Sequence, residues 1–81
     1  MAPPFGDPML AQNTYEATAP GHTGTIRFNG KTDDVEAWED FAVEVRVIEH
    51  MVRQGLLTVG FRHVESQTGR RYVDMVTFTR L

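Results

Sequence analysis

A chain of 81 residues has room for one small domain. Apolar residues make up 41% and charged residues 23%, which argues against a disordered chain. The sequence contains no cysteine, which excludes disulfides, thiolate chemistry and cysteine-based zinc sites. Because no apolar run can span a bilayer and the N-terminus lacks the features of a signal peptide, we expect no membrane contact and a cytoplasmic location.

Charge is distributed unevenly along the chain, whose net charge is −3. Residues 1–44 contain eight acidic residues against two basic ones, whereas residues 45–81 contain six arginines against three acidic residues. Phosphate binding needs a dense cationic surface. The overall charge therefore disfavours a nucleic-acid partner, and the second half is the one segment suited to such a partner.

The N-terminal segment has a composition typical of chain outside a packed core. Residues 1–24 hold all four prolines and three of the seven glycines. This predicts an extended N-terminal arm over 1–24 and a compact domain over 25–81. A weak alternation around Tyr15 leaves open a further strand within 10–18. The larger apolar side chains of the arm, including Phe5 and Tyr15, are expected to order on a neighbouring subunit or a target.

A short strand and a long helix follow the arm. Alternation over 25–29 predicts a strand with Ile26 and Phe28 on one face, and Asn29-Gly30 ends it. Asp33, with Glu36 three residues later, has the spacing of a helix cap, and Thr32 competes for that role. Gly55 is placed as the left-handed residue that stops the helix, which is therefore predicted over about 34–54.

Spacings of three and four residues define the core face of this helix. The stripe consists of Trp38, Phe41, Val45, Ile48 and Val52, with Ala42 alongside. Val43 and Val47 lie on the opposite side, where solvent is expected. They are either isolated surface valines or residues that the arm or another subunit covers.

The remainder of the chain predicts a β-hairpin with strands near 56–65 and 70–79. A four-residue loop pairs Glu65 with Arg70, whereas a three-residue loop pairs Arg62 with Asp74 and brings apolar residues together. The second register is favoured. It places Leu57, Val59, Phe61, Val73 and Met75 on one face and Val64, Tyr72, Val76 and Phe78 on the other. One helix covers only one face, so an arm or a partner is expected on the other.

These elements define an α+β fold, a single small domain of order β-α-β-β. One amphipathic helix packs on a small, mainly antiparallel sheet, and the extended arm precedes it.

No motif in the sequence predicts catalysis. Gly30-Lys31-Thr32 lacks the spacing of a phosphate-binding loop. The three histidines have no companions at metal-binding spacing, and Ser66 is the only serine. We therefore expect no enzyme activity, no catalytic residue, no metal and no cofactor.

The sequence favours a small non-enzymatic protein–protein interaction module, such as an inhibitor, adaptor or assembly component, that also forms a homo-oligomer. The alternative is a nucleic-acid-binding module that uses the basic hairpin. Partner-binding candidates are Val43, Val47, Arg62, Arg70, Arg71, Tyr72, Phe78, Phe5 and Tyr15.

Overall fold

The computed structural model describes residues 9–81, which form two helices and three strands. The three strands make one antiparallel sheet in which β3 lies between β1 and β2. This confirms the α+β class and the packing of a long helix on a small antiparallel sheet. In chain order the elements are α1 (Leu10–Ala17), β1 (Thr23–Arg27), α2 (Val35–Arg53), β2 (Leu57–Val64) and β3 (Val73–Arg80).

Helix α1 corrects the expectation of an extended arm or a further strand over 10–18. Ala11 is fully buried in the hydrophobic core, and Leu10 and Tyr15 pack partly against that core. The prolines and glycines that suggested an arm lie outside 10–17, so a composition averaged over 24 residues concealed a helical segment. Phe5, a predicted contact residue, lies outside the described residues.

The ends of α2 follow from its capping residues. The side chain of Asp34, rather than Asp33, accepts a hydrogen bond of 3.1 Å from the Ala37 backbone amide. At the other end Gly55 has φ 75°, as predicted for the stop residue. The amide of Leu56 bonds back to the Met51 carbonyl, which is the arrangement of a Schellman motif.

The buried face of α2 is broader than the predicted stripe. Trp38, Phe41, Val45 and Ile48 are buried as predicted, but Val52 is 38% exposed and Met51 is buried in its place. The reason is that α2 packs against α1 as well as against β2 and β3, which turns the covered face toward Met51. The rest of the core comes from Ala11, Ile26, Leu57, Val76 and Phe78.

Both predicted hairpin registers are wrong because the loop is longer than predicted: Val64 pairs with Val73, and the Glu65 amide donates to the Tyr72 carbonyl. Irregularities then interrupt the paired strands. Val59 pairs with Phe78, and Phe61 pairs with Thr77, so Gly60 is an extra residue on β2. A second irregularity near Val64 shifts the pairing again. The extra residue at Gly60 turns Phe61 away from the face of Leu57 and Val59, and the sheet therefore separates into an apolar side and a mainly polar side.

Candidate functional site

One face of the sheet is buried beneath α1 and α2, and within residues 9–81 no element covers the other. Alternate residues of the three strands form three rows across this open side, in the strand order β1, β3, β2. We call these nine residues the outer face. The rows are Thr23, Thr79 and Thr58, then Thr25, Thr77 and Phe61, then Arg27, Met75 and His63.

The outer face combines threonine methyl and hydroxyl groups with an exposed aromatic ring. Phe61 is 51% exposed, although its row lies in the middle of the sheet. The hydroxyls of Thr25 and Thr77 lie 3.2 Å apart, within hydrogen-bonding distance across the strands. Threonine and phenylalanine suit a pleated, half-buried surface. A surface of this kind can bury area against a complementary surface of a partner.

Charged groups lie at both edges of the third row. Arg27 is exposed on the β1 edge. On the opposite edge the His63 ring nitrogen Nδ1 lies 2.6 Å from the Asp74 carboxylate oxygen, which holds this carboxylate on the side of His63. The outer face therefore carries a cation on one edge and a carboxylate toward the other.

The predicted basic hairpin is only partly available to a partner. Arg62 lies 3.9 Å from Glu49 of α2, on the side of the sheet that the helices cover. Arg80 donates hydrogen bonds to the backbone carbonyls of Tyr15 (3.2 Å) and Thr18 (2.9 Å) and lies over the Tyr15 ring. Arg80 therefore stabilises the fold, whereas the Arg62 side chain stays 45% exposed and makes only a loose surface ion pair, so the two do not form one exposed cationic patch.

Arg70 and Arg71 are the two hairpin arginines that remain exposed in the loop. The Arg70 guanidinium contacts the Tyr72 hydroxyl at 3.4 Å, and this contact raises the pKa of Arg70 above its ordinary value. Arg71 has φ 57°, an uncommon backbone conformation for a residue other than glycine. The loop thus presents two neighbouring cations.

Tyr72, predicted as a partner contact, instead belongs to a stack of three aromatic rings. Trp38 lies between Phe28, at 3.6 Å between ring centroids, and Tyr72, at 4.9 Å. The Trp38 ring nitrogen also donates to the Thr32 carbonyl at 3.0 Å. The stack joins α2 to the chain segments that flank β1 and β3, so Tyr72 has a structural role.

The apolar candidates are placed differently from one another. Val43 is 46% exposed on α2, as expected. Val47 is half-buried against the core, so its own chain covers much of it. Phe78 is fully buried and is corrected from a partner contact to a core residue. Tyr15 packs against the core beneath Arg80, so its contact lies within the same chain.

Glu44 is a functional group that the sequence analysis missed. Its carboxylate accepts a hydrogen bond of 2.8 Å from the Ala11 backbone amide, at the N-terminus of α1. Carboxylates near a helix N-terminus and cations near a C-terminus are stabilising. Glu44 and Arg80 therefore hold the two ends of α1. The signal was available, because Glu44 lies three residues after Phe41 and four before Ile48, on the core side of α2.

A hollow lies beside the hairpin loop and is lined in part by Glu65. The Glu65 side chain is buried. One oxygen of this carboxylate accepts from the Thr68 amide at 2.8 Å, and the other has no hydrogen-bond partner. This carboxylate orders the loop. Across residues 9–81, no group of three or more histidine, aspartate or glutamate side chains could hold a metal ion.

Comparison with known proteins gives no match to a family model, to a curated protein or to a solved structure. In the part of the chain that the structure describes, no helix combines the length and the apolar character needed to cross a membrane.

Proposed function

We propose that this protein is a small non-enzymatic protein–protein interaction module, an inhibitor, adaptor or assembly component, whose binding surface is the outer face. The observation that carries the proposal is Phe61, half-exposed at the middle row of a sheet face with five threonines. A sheet face normally packs against another layer. The complementary partner is a protein surface that is flat and offers both apolar groups and hydroxyls.

Charge supports a protein partner over a nucleic acid. The net charge is −3, and Arg80 is engaged within the fold. Arg70 and Arg71 favour the second candidate, a nucleic-acid-binding module that uses the hairpin loop. The two functions differ in salt dependence, since phosphate binding weakens steeply with salt and apolar association does not.

The absence of enzyme activity, metal and cofactor stays a prediction, as does a cytoplasmic location. The carboxylate of Glu44 supports the absence of enzyme activity, because it bonds the backbone amide of Ala11. A carboxylate that stabilises a helix end in this way is less suited to acid–base chemistry than one that faces a cleft.

Site-specific photo-crosslinking in the native host tests the binding surface. A photoreactive benzoylphenylalanine replaces Phe61 in one variant and Val52, which is 38% exposed on α2, in the control. We expect protein adducts from position 61 that the control lacks. The same adducts from both positions, adducts to nucleic acid alone, or no adduct from position 61 would overturn the proposal.

A further inference from the structure

The geometry points to a specific occupant of the outer face, which we infer to be a second copy of this chain packed face to face. This inference rests on the proposed function, because it assigns the partner of the same surface. The two copies are related by a two-fold axis that runs parallel to β3 and lies between the sheets. Most soluble oligomers are symmetric homo-oligomers, of which two-fold dimers are the commonest.

This axis keeps each row of the outer face in place and exchanges its two edges. Strand β1 then lies over β2 of the second copy, while β3 lies over β3. In the middle row, Phe61 meets Thr25 of the second copy, and Thr77 meets Thr77. The exposed ring thus packs on a threonine methyl rather than against another large ring.

Charge complementarity selects this axis. In the third row, Arg27 of one copy lies over the pair of His63 and Asp74 of the other, and symmetry produces this contact twice. A two-fold axis across the strands instead places Arg27 over Thr23 of the second copy and brings no opposite charges together. Opposite charges across an interface fix its register and suppress wrong arrangements.

The size of the outer face determines the expected strength of the dimer. Three strands about 4.8 Å apart, each contributing about five residues of 3.4 Å, span roughly 250 Å² of sheet. A standard interface buries about 800 Å² of accessible surface per partner. The dimer is therefore expected to be reversible, with a dissociation constant of about 10 to 1000 µM.

Analytical ultracentrifugation of the purified full chain, over concentrations on both sides of that range, tests the inference. The monomer has a mass of 9.2 kDa, and the wild type is expected to approach twice that mass as concentration rises. Phe61→Lys is expected to abolish dimerisation. Val52→Lys, at an exposed apolar residue on α2, is the matched control and leaves it unchanged.

Charge exchange tests the axis itself. Arg27→Glu alone and Asp74→Lys alone are each expected to raise the dissociation constant at least about tenfold, and the double variant restores most of the loss. Near-ultraviolet circular dichroism of Trp38 checks that each variant keeps the native fold. Failure of the double variant to restore the dimer would overturn the two-fold arrangement.

A wild type that stays monomeric throughout would overturn the inference of a second copy. The proposed function fails separately, through the crosslinking experiment. Adducts at position 61 with a different protein, together with a monomeric wild type, would retain the function and reject self-association. Adducts within a single chain would show that residues 1–8 cover the outer face, which would overturn both.

Discussion

Trp38 is 3% exposed and lies between two parallel rings, so its replacement removes contacts on both faces at once. We expect Trp38→Ala to lower the free energy of unfolding by about 3–5 kcal/mol. Phe61→Ala is the matched comparison at an exposed ring and should cost about 1 kcal/mol or less. Urea denaturation followed by far-ultraviolet circular dichroism measures both. Equal losses would show that the outer face contributes to the core.

The contrast between these two residues also shows how far the sequence could predict the structure. Burial of Trp38 and Ile48 was predicted correctly because helical spacing depends only on nearby residues. The sequence did not predict which side of the sheet Phe61 occupies. That side depends on Gly60, which is an extra residue on β2 relative to β3. The buried Phe78 was assigned to a partner for a different reason, because the hairpin loop is longer than predicted and shifts the register by one residue.

At the scale of one element, α1 is a helix of eight residues held at both ends by distant side chains. Its capping position Met9 makes no side-chain cap hydrogen bond. Glu44 bonds the Ala11 amide instead, and Arg80 bonds carbonyls near the other end. Helical spacing places Glu44 on the core side of α2, but the contacts that Glu44 and Arg80 make could not be predicted from the sequence, because each spans more than thirty residues. Isolated helices this short are unstable in water, so tertiary contacts maintain α1.

Glu44→Ala tests this dependence on tertiary contacts. Losing the acceptor leaves a buried amide unpaired, so we expect a cost of about 1–3 kcal/mol and faster hydrogen exchange throughout α1. Glu44→Gln retains an oxygen acceptor and should restore most of the protection. Glu49→Ala, which removes only the partly exposed contact with Arg62, should cost under about 1 kcal/mol. Unchanged exchange in Glu44→Ala would contradict the capping role.

The sheet makes a close approach to the core at Gly24 of β1. A Cβ atom there would lie 2.6 Å from both the Phe78 ring and the Thr18 hydroxyl oxygen. We expect Gly24→Ala to lower the thermal midpoint and to cost about 1–3 kcal/mol through overpacking. Gly60→Ala is the control within the same sheet, because its Cβ would meet only the Thr77 carbonyl oxygen, at 3.8 Å. It should change stability by no more than about 0.5 kcal/mol. A larger loss at Gly60 than at Gly24 would contradict this account.

The described part of the molecule measures 35 × 31 × 18 Å, and its thinnest dimension corresponds to one helix layer on one sheet. Sheets and helices pack about 10 Å apart, so 18 Å leaves no room for a third layer. Within residues 9–81 the outer face is therefore left without a covering layer. An uncovered face was predictable in kind, since one helix cannot cover two faces. The face is less apolar than predicted, because the longer hairpin loop shifts the register and places Val76 and Phe78 on the covered side.

Helix α1 is one of the two helices that cover the sheet within residues 9–81, so we expect its loss to unfold the domain. Deleting residues 1–19 removes Ala11 and Tyr15 from the core and leaves the Glu44 carboxylate without the Ala11 amide. A domain of this size has little stability to lose, and removing α1 exposes to water the apolar side chains that it covers. We therefore expect this deletion to abolish cooperative thermal unfolding, as measured by the near-ultraviolet signal of Trp38. Deleting only residues 1–8 keeps every contact described for α1 and should retain the transition. A sharp transition in the longer deletion would mean that residues 20–81 fold alone, as an extended and dispensable arm would require.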